Sequence, residues 1–132
     1  QSQGTDPDEA ATFARHSGVD AVAISVGNVH LQQNREGGLD EPRIRAIEAV
    51  TDVPLVIHGG SGVPVAQRTR LAQSSRICKF NIGTELRMAF GRELRASLAE
   101  DAERFDRVAI LSALEDPLTA AARGVLRTLA PA

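Results

Sequence analysis

The sequence has no tryptophan, no tyrosine and only four phenylalanines in 132 residues, so it lacks the aromatic platforms on which unpaired bases stack. Basic residues are not in excess either. Fifteen lysines and arginines stand against 17 acidic side chains, a formal net charge of -2, which excludes the electrostatic footprint of a nucleic-acid surface. Apolar runs stop after a few residues, far short of the ~20 needed to span a bilayer, and no secretory leader pattern opens the chain. Cys78 stands alone; it excludes an internal disulfide and fits a reducing compartment, so a cytoplasmic protein is expected. What is present, 42% apolar and 24% charged residues, is the composition of a soluble globular chain long enough for one core.

The most informative stretch is Val53 to Gly62, Val-Pro-Leu-Val-Ile-His-Gly-Gly-Ser-Gly. Leu55, Val56 and Ile57 form a continuous apolar run that suits a strand buried on both faces of a parallel sheet. The run ends on His58. Glycines 59, 60 and 62 with Ser61 then allow backbone N–H groups to approach an anion, and Pro64 sits where a helix can begin.

Two further units follow the same plan. Asp6-Pro7-Asp8-Glu9 predicts a capped helix start, with Ala10, Phe13 and Ala14 as its inward stripe and Gly18 as its stop. A strand over 21–26 then delivers Asn28, Val29 and His30 to its carboxyl end, and the polar segment from Leu31 to Gly38 has the look of a loop above a site. Asp40 can cap a second helix that carries Ile44, Ile47 and Val50 inward. After the glycine turn the pattern predicts a helix over 65–74, a third strand over 77–82, and a long helix with Leu86, Phe90, Leu94 and Leu98 at helical spacing. A connection or short helix over 105–111 precedes a last helix capped by Asp116-Pro117. Alternating helices and strands imply α/β architecture with right-handed parallel crossovers. Three parallel strands leave two open edges and a half-covered face, so the expected fold is the C-terminal part of a (β/α)₈ TIM barrel, which typically takes about 250 residues. On that expectation residues 1–132 form one partial barrel domain whose first half lies outside the sequence.

His30 and His58 fall at the same level of consecutive strands, where two imidazoles can converge on one cation; a catalytic zinc site uses three protein ligands and an open position. Ordinary hydrogen-bonded strand-end histidines are the plain alternative. His16 reads as a helix C-terminal residue. Gly59, Ser61 and their neighbours form one half of a candidate phosphate cradle, and Asn81, Gly83 and Thr84 the other, both at strand-to-helix turns. Two ordinary tight turns would give the same pattern. Lys79, mid-strand among apolar residues, could be a Schiff-base nucleophile, or could pair with a carboxylate.

Asp6-Pro7-Asp8-Glu9-Ala10, Gly27-Asn28-Val29-His30, Pro54 to Gly62 and Lys79-Phe80-Asn81-Ile82-Gly83-Thr84-Glu85-Leu86 together resemble the class II, zinc-dependent ketose-bisphosphate aldolases, in order and in spacing. The resemblance runs from Thr5 to about Phe105. It implies that His30 and His58 are two of three ligands to Zn²⁺ or another divalent metal, and that Gly59, Ser61 and Thr84 hold the substrate phosphate. It also gives Asn81 to the dihydroxyacetone portion of the substrate. The implied reaction is reversible aldol cleavage of a fructose- or tagatose-1,6-bisphosphate type ketose to dihydroxyacetone phosphate and an aldehyde, in carbohydrate metabolism, by a homo-oligomer of two or four subunits.

Three differences from the family pattern bear on that expectation. The Asp-His-Gly motif that carries the family's catalytic aspartate and third zinc ligand does not occur in this sequence, so no catalytic residue is expected within it. Leu31 replaces a glycine, and Gly83 an aspartate, which suggests altered substrate choice or weaker phosphate binding. Two other readings stay open: a Schiff-base aldolase acting through Lys79, and a non-catalytic phosphosugar-binding subunit of the same fold.

Overall fold

A computed structural model of the chain describes residues 4–27 and 38–130. Helix α1 spans Pro7–Ser17 and starts as its sequence dictates, with the Asp6 carboxylate accepting from the N–H groups of Asp8 and Glu9 at 3.0 and 3.1 Å. It stops at Gly18, whose φ of 64° is open to glycine and whose N–H donates back to the Ala14 carbonyl. Strand β1 (Val22–Ile24), helix α2 (Glu41–Val50), strand β2 (Leu55–Ile57), a 3₁₀ turn (Gly60–Gly62), helix α3 (Val65–Ser74) and strand β3 (Ile77–Phe80) follow. Helices α4 (Thr84–Glu100), α5 (Arg107–Ser112) and α6 (Glu115–Leu129) complete the chain. The described residues fall into two compact units, one made by those up to Ile82 together with those from Leu129 on, the other Gly83–Thr128.

In the first unit the three strands pair in parallel in the order β1-β2-β3, with Val22 beside Leu55, Ala23 beside Val56 and Ile24 beside Ile57. Between β2 and β3 the register shifts. Leu55 faces Ile77, Val56 faces Lys79 and Ile57 faces Phe80, so Cys78 is an extra residue on β3. Val22, Ile24, Leu55, Ile57 and Ile77 join Ala10 and Ala14 of α1, Ile44 and Ile47 of α2 and Leu71 of α3 in one core, with Phe80 against it. Each fully buried aliphatic side chain there contributes roughly 1.5–3 kcal/mol relative to exposure. The other face holds the row Ala23, Val56, Lys79. Val56 is buried, whereas Ala23 and Lys79 are exposed.

Several expectations shift on this frame. Only β2 is buried on both faces; β1 alternates, and β3 is covered at Ile77 and in part at Phe80, because α1, α2 and α3 pack on one side of the sheet. The strands are also shorter than their apolar runs, although Asn81 N–H, one residue past β3, still donates to the Ile57 carbonyl at 2.9 Å. Phe13 and Val50 are exposed, and Ala11 is buried on α1 instead. On α4, Leu86 and Leu94 are half-buried and Phe90 and Leu98 exposed, while Ala89 and Ser97 are buried, so the covered face is rotated from the leucine stripe. Helix α6 begins at Glu115, which places Asp116 and Pro117 inside its first turn, where proline costs no hydrogen bond.

Charged side chains tie α2 to its neighbours. The Glu48 carboxylate accepts from the Arg76 N–H at 2.6 Å and from Arg45 at 2.8 Å, and the Arg76 guanidinium bonds the carbonyls of Glu48 and Thr51. Burial pushes the Glu48 carboxyl up, but the Arg76 N–H and Arg45 outweigh it and hold it below its ordinary 4.5. Further along, the Gln67 amide of α3 accepts from Leu39 N–H at 2.8 Å and donates to the Leu39 carbonyl at 3.0 Å and to Glu41 at 2.8 Å. Hydrogen bonds from Gln67, then Arg70, hold the Glu41 carboxyl below its ordinary value.

A depressed carboxyl contributes stability above its unfolded pKa and loses it as pH falls through the folded value. Glu48→Gln is therefore expected to cost about 1–2 kcal/mol at pH 7. In urea titrations across pH, the gap from the parent should close as pH drops below 4.5.

Candidate active site at the end of β2

His58 follows β2 directly and is exposed, and its Nδ1 lies 3.2 Å from the Asn81 side-chain amide nitrogen. Two proton arrangements satisfy this contact. The Asn81 amide can donate to Nδ1, or, turned over, its oxygen can accept from Nδ1–H and leave Nε2 as the lone-pair nitrogen. The second is what a metal-ligating imidazole uses, because the partner of one ring nitrogen fixes the tautomer and orientation of the other.

Asn81 is itself fixed through its backbone. Its N–H donates to Ile57, and its carbonyl accepts the Gly60 N–H at 3.0 Å. Gly59 takes φ 65°, ψ 30°, a left-handed conformation that turns the chain out of β2 and into the 3₁₀ turn. Gly62 N–H then donates to Gly59 and Val63 N–H to Gly60. The N–H groups of Gly60, Gly62 and Val63 are committed inside the fold, and Gly59 and Ser61 beside them are half-buried. Helix α3 begins beside them at Pro64 with no side-chain cap on its first-turn N–H groups, an arrangement that favours negative charge.

In the second unit, Gly83 is the N-cap of α4 and Thr84 its first residue, again without a side-chain cap. The Thr84 hydroxyl accepts from the Arg87 guanidinium at 3.2 Å, and Arg87 N–H donates to the Gly83 carbonyl at 2.9 Å. Glu85 occupies the first turn, as its sequence position implies.

His30, the other histidine of the expected metal pair, and Leu31 lie outside the described residues. Among the described residues no group of three histidine, cysteine, aspartate or glutamate side chains is placed to hold a metal. Lys79 is exposed, on the sheet face opposite the core with α1, α2 and α3, and forms no ion pair with any described residue. Arg68 is the residue that sequence reasoning missed. It is 1% exposed, the largest fully buried side chain described, and its Nη1 donates to the Gly60 carbonyl at 3.4 Å. Its position three residues before Leu71, on the same helix face, was the one available signal.

Gly60 is packed as well as bonded. A Cβ there would sit 3.0 Å from Ile82 Cγ1, 3.2 Å from Phe80 Cβ and 3.3 Å from the Asn81 carbonyl, whereas at Gly62 it would meet nothing within 4 Å. Gly60→Ala is expected to cost about 1–3 kcal/mol by overpacking and Gly62→Ala less than about 0.5. Equilibrium unfolding of the two variants side by side checks this.

The fold is shared with solved aldolase structures. The YdjI aldolase from Escherichia coli K12 superposes with a TM-score of 0.70 over 96% of the chain at 29% identity. A fructose-bisphosphate aldolase from Campylobacter jejuni does so with a TM-score of 0.73 over 96% at 19% identity. The chain spans 44% and 45% of the length of these two structures, so its three strands and their helices correspond to part of a (β/α)₈ barrel. A family profile described as fructose-bisphosphate aldolase class-II matches residues 1–131, and the chain belongs to that family.

Proposed function

We propose that this protein is a metal-dependent class II aldolase that reversibly cleaves a phosphorylated ketose, of the fructose- or tagatose-bisphosphate type, to dihydroxyacetone phosphate and an aldehyde. The observation that carries the reading is the joint between His58 and Asn81 at 3.2 Å, built directly beside a glycine turn and an uncapped helix start. A bond-breaking centre and an anion subsite a few residues apart are what cleavage of a phosphosugar requires. Family membership supports the same reaction class.

The donor chemistry fits a divalent cation. His58 offers an exposed imidazole with one nitrogen oriented by an amide, and neutral imidazole is a preferred zinc ligand. His58 and His30 would hold the ion, zinc on this reading. When bound, such a cation supplies Lewis-acid polarisation of the ketose carbonyl. The remaining work assigned to this chain is binding and orientation. Gly59 and Ser61 hold the phosphate through N–H and hydroxyl groups, which fixes the reacting carbons at a set distance from His58. Asn81 orients His58 with one amide atom and presents the other to a substrate hydroxyl. Gly83 and Thr84 enter the substrate site on the sequence pattern alone. In the cleavage direction the hydroxyl proton of the fourth carbon passes to a base, the bond between the third and fourth carbons breaks as the aldehyde forms, the electron pair stays on the third carbon, and a proton added there completes dihydroxyacetone phosphate.

His58→Ala in the intact protein should remove bound zinc while leaving the unfolding midpoint within a few degrees, since the residue is exposed at a strand end. Zinc analysis with thermal denaturation measures both, and stoichiometric zinc in the variant contradicts the ligand assignment. Ser61→Ala should raise KM about tenfold for a phosphorylated ketose and little for its unphosphorylated analogue. Equal effects on the two substrates would remove the Ser61 hydroxyl from the phosphate.

A further inference from the structure

We infer that Arg68 is a positioning residue for anion binding: it holds the glycine turn in its binding conformation from beneath. The inference rests on the proposal that the turn at Gly59–Ser61 receives the substrate phosphate, and it adds a residue that does not touch that phosphate. A guanidinium is among the least expected groups in a protein interior, because burying it removes strong hydration that only directed hydrogen bonds replace. Arg68 is nevertheless buried to the same degree as Ile57 and Leu71 of the core. The place where it meets the turn is specific. Nη1 donates to the Gly60 carbonyl, which also accepts the Val63 N–H, while the Gly60 N–H donates to Asn81. Both polar groups of the Gly60 backbone are thereby fixed, one towards β3 and one towards α3.

The consequence for binding follows from peptide planarity. Holding the Gly60 carbonyl down towards α3 sets the plane of the Gly60–Ser61 peptide, and with it the direction of the Ser61 N–H. If that peptide turned over, the N–H would be replaced by a carbonyl oxygen, which repels a phosphate. Glycine at 59, 60 and 62 makes such turning cheap, so a turn of this composition needs an outside hold. Arg68 provides it from a rigid helix, with a planar fork that carries more than one donor.

The test measures inorganic phosphate and dihydroxyacetone phosphate binding to the intact protein by ³¹P NMR titration and calorimetry, with unphosphorylated dihydroxyacetone and zinc content in parallel. Arg68→Met keeps the stem and removes the donors. It should weaken both phosphate ligands about tenfold while dihydroxyacetone affinity and zinc content stay within about twofold of the parent. Arg68→Lys, which keeps charge but not the fork, should fall between, at about threefold, and it carries the test alone if the methionine variant does not fold. Phosphate affinity within twofold of the parent in the folded variants overturns the inference, as does an equal loss for dihydroxyacetone. Ser61→Ala, which removes the hydroxyl, and Ser61→Pro, which removes the N–H, separate the two levels. If neither weakens inorganic phosphate binding, the phosphate reading itself fails; if either weakens it and the Arg68 variants do not, only the role of Arg68 fails.

Discussion

One backbone hydrogen bond, from Gly60 N–H to the Asn81 carbonyl, joins the end of β2 to the end of β3 beyond the last paired residues of the sheet. Everything that gives the site its shape converges on it. Because it exists, Asn81 is held where its side chain reaches His58. Because Gly60 has no side chain, the turn can lie against Ile82 and Phe80 closely enough to make the bond. A neutral hydrogen bond is worth only about 1 kcal/mol of net stability, so its importance here is geometric. It converts two adjacent loop starts into one rigid platform.

The platform is anchored to the rest of its unit by side chains that act on backbone. Gln67 grips both polar groups of Leu39, as a neighbouring strand would, and Glu41 and Arg70 fix the amide that does so. Arg76 and Glu48 do the same between α2 and the entry to β3. Arg68, between these two sets on α3, serves the turn. Three consecutive polar anchors along α2 and α3 explain how strands of three or four residues are held in place; ladder bonds that few in number would not suffice.

Much of this was legible in the sequence, and the reasons differ by residue. Asp6, Pro7, Gly18 and Asp40 announce helix ends because capping is local chemistry. Leu55 to Ile57 announces a strand because parallel sheets bury such runs, and the histidine and glycines after it mark where a site would form. The inward residues of α4 were not legible. Phe90 and Leu98 are exposed in favour of Ala89 and Ser97, and which face of a helix is covered depends on what packs on it, not on its own pattern. Arg68 was harder to read for a related reason: charge normally signals solvent, and its bond to a carbonyl three residues past β2 joins it to a turn that no local pattern pairs with it. The contact between Asn81 and His58 joins residues 23 apart in the chain, and no local pattern encodes it.

The extra residue on β3 has an effect that reaches past the sheet. With Cys78 taken up as a bulge, Ile57 stands beside Phe80, and continuing one step along both strands brings His58 level with Asn81. Regular pairing from Leu55 and Ile77 onward would instead set Lys79 against Ile57, pushing an ammonium group into the helix-covered core, and would leave His58 abreast of an aromatic ring. A single surplus amino acid thus acts as a vernier: it spends one position of pairing to bring an amide, rather than a phenyl group, alongside the imidazole.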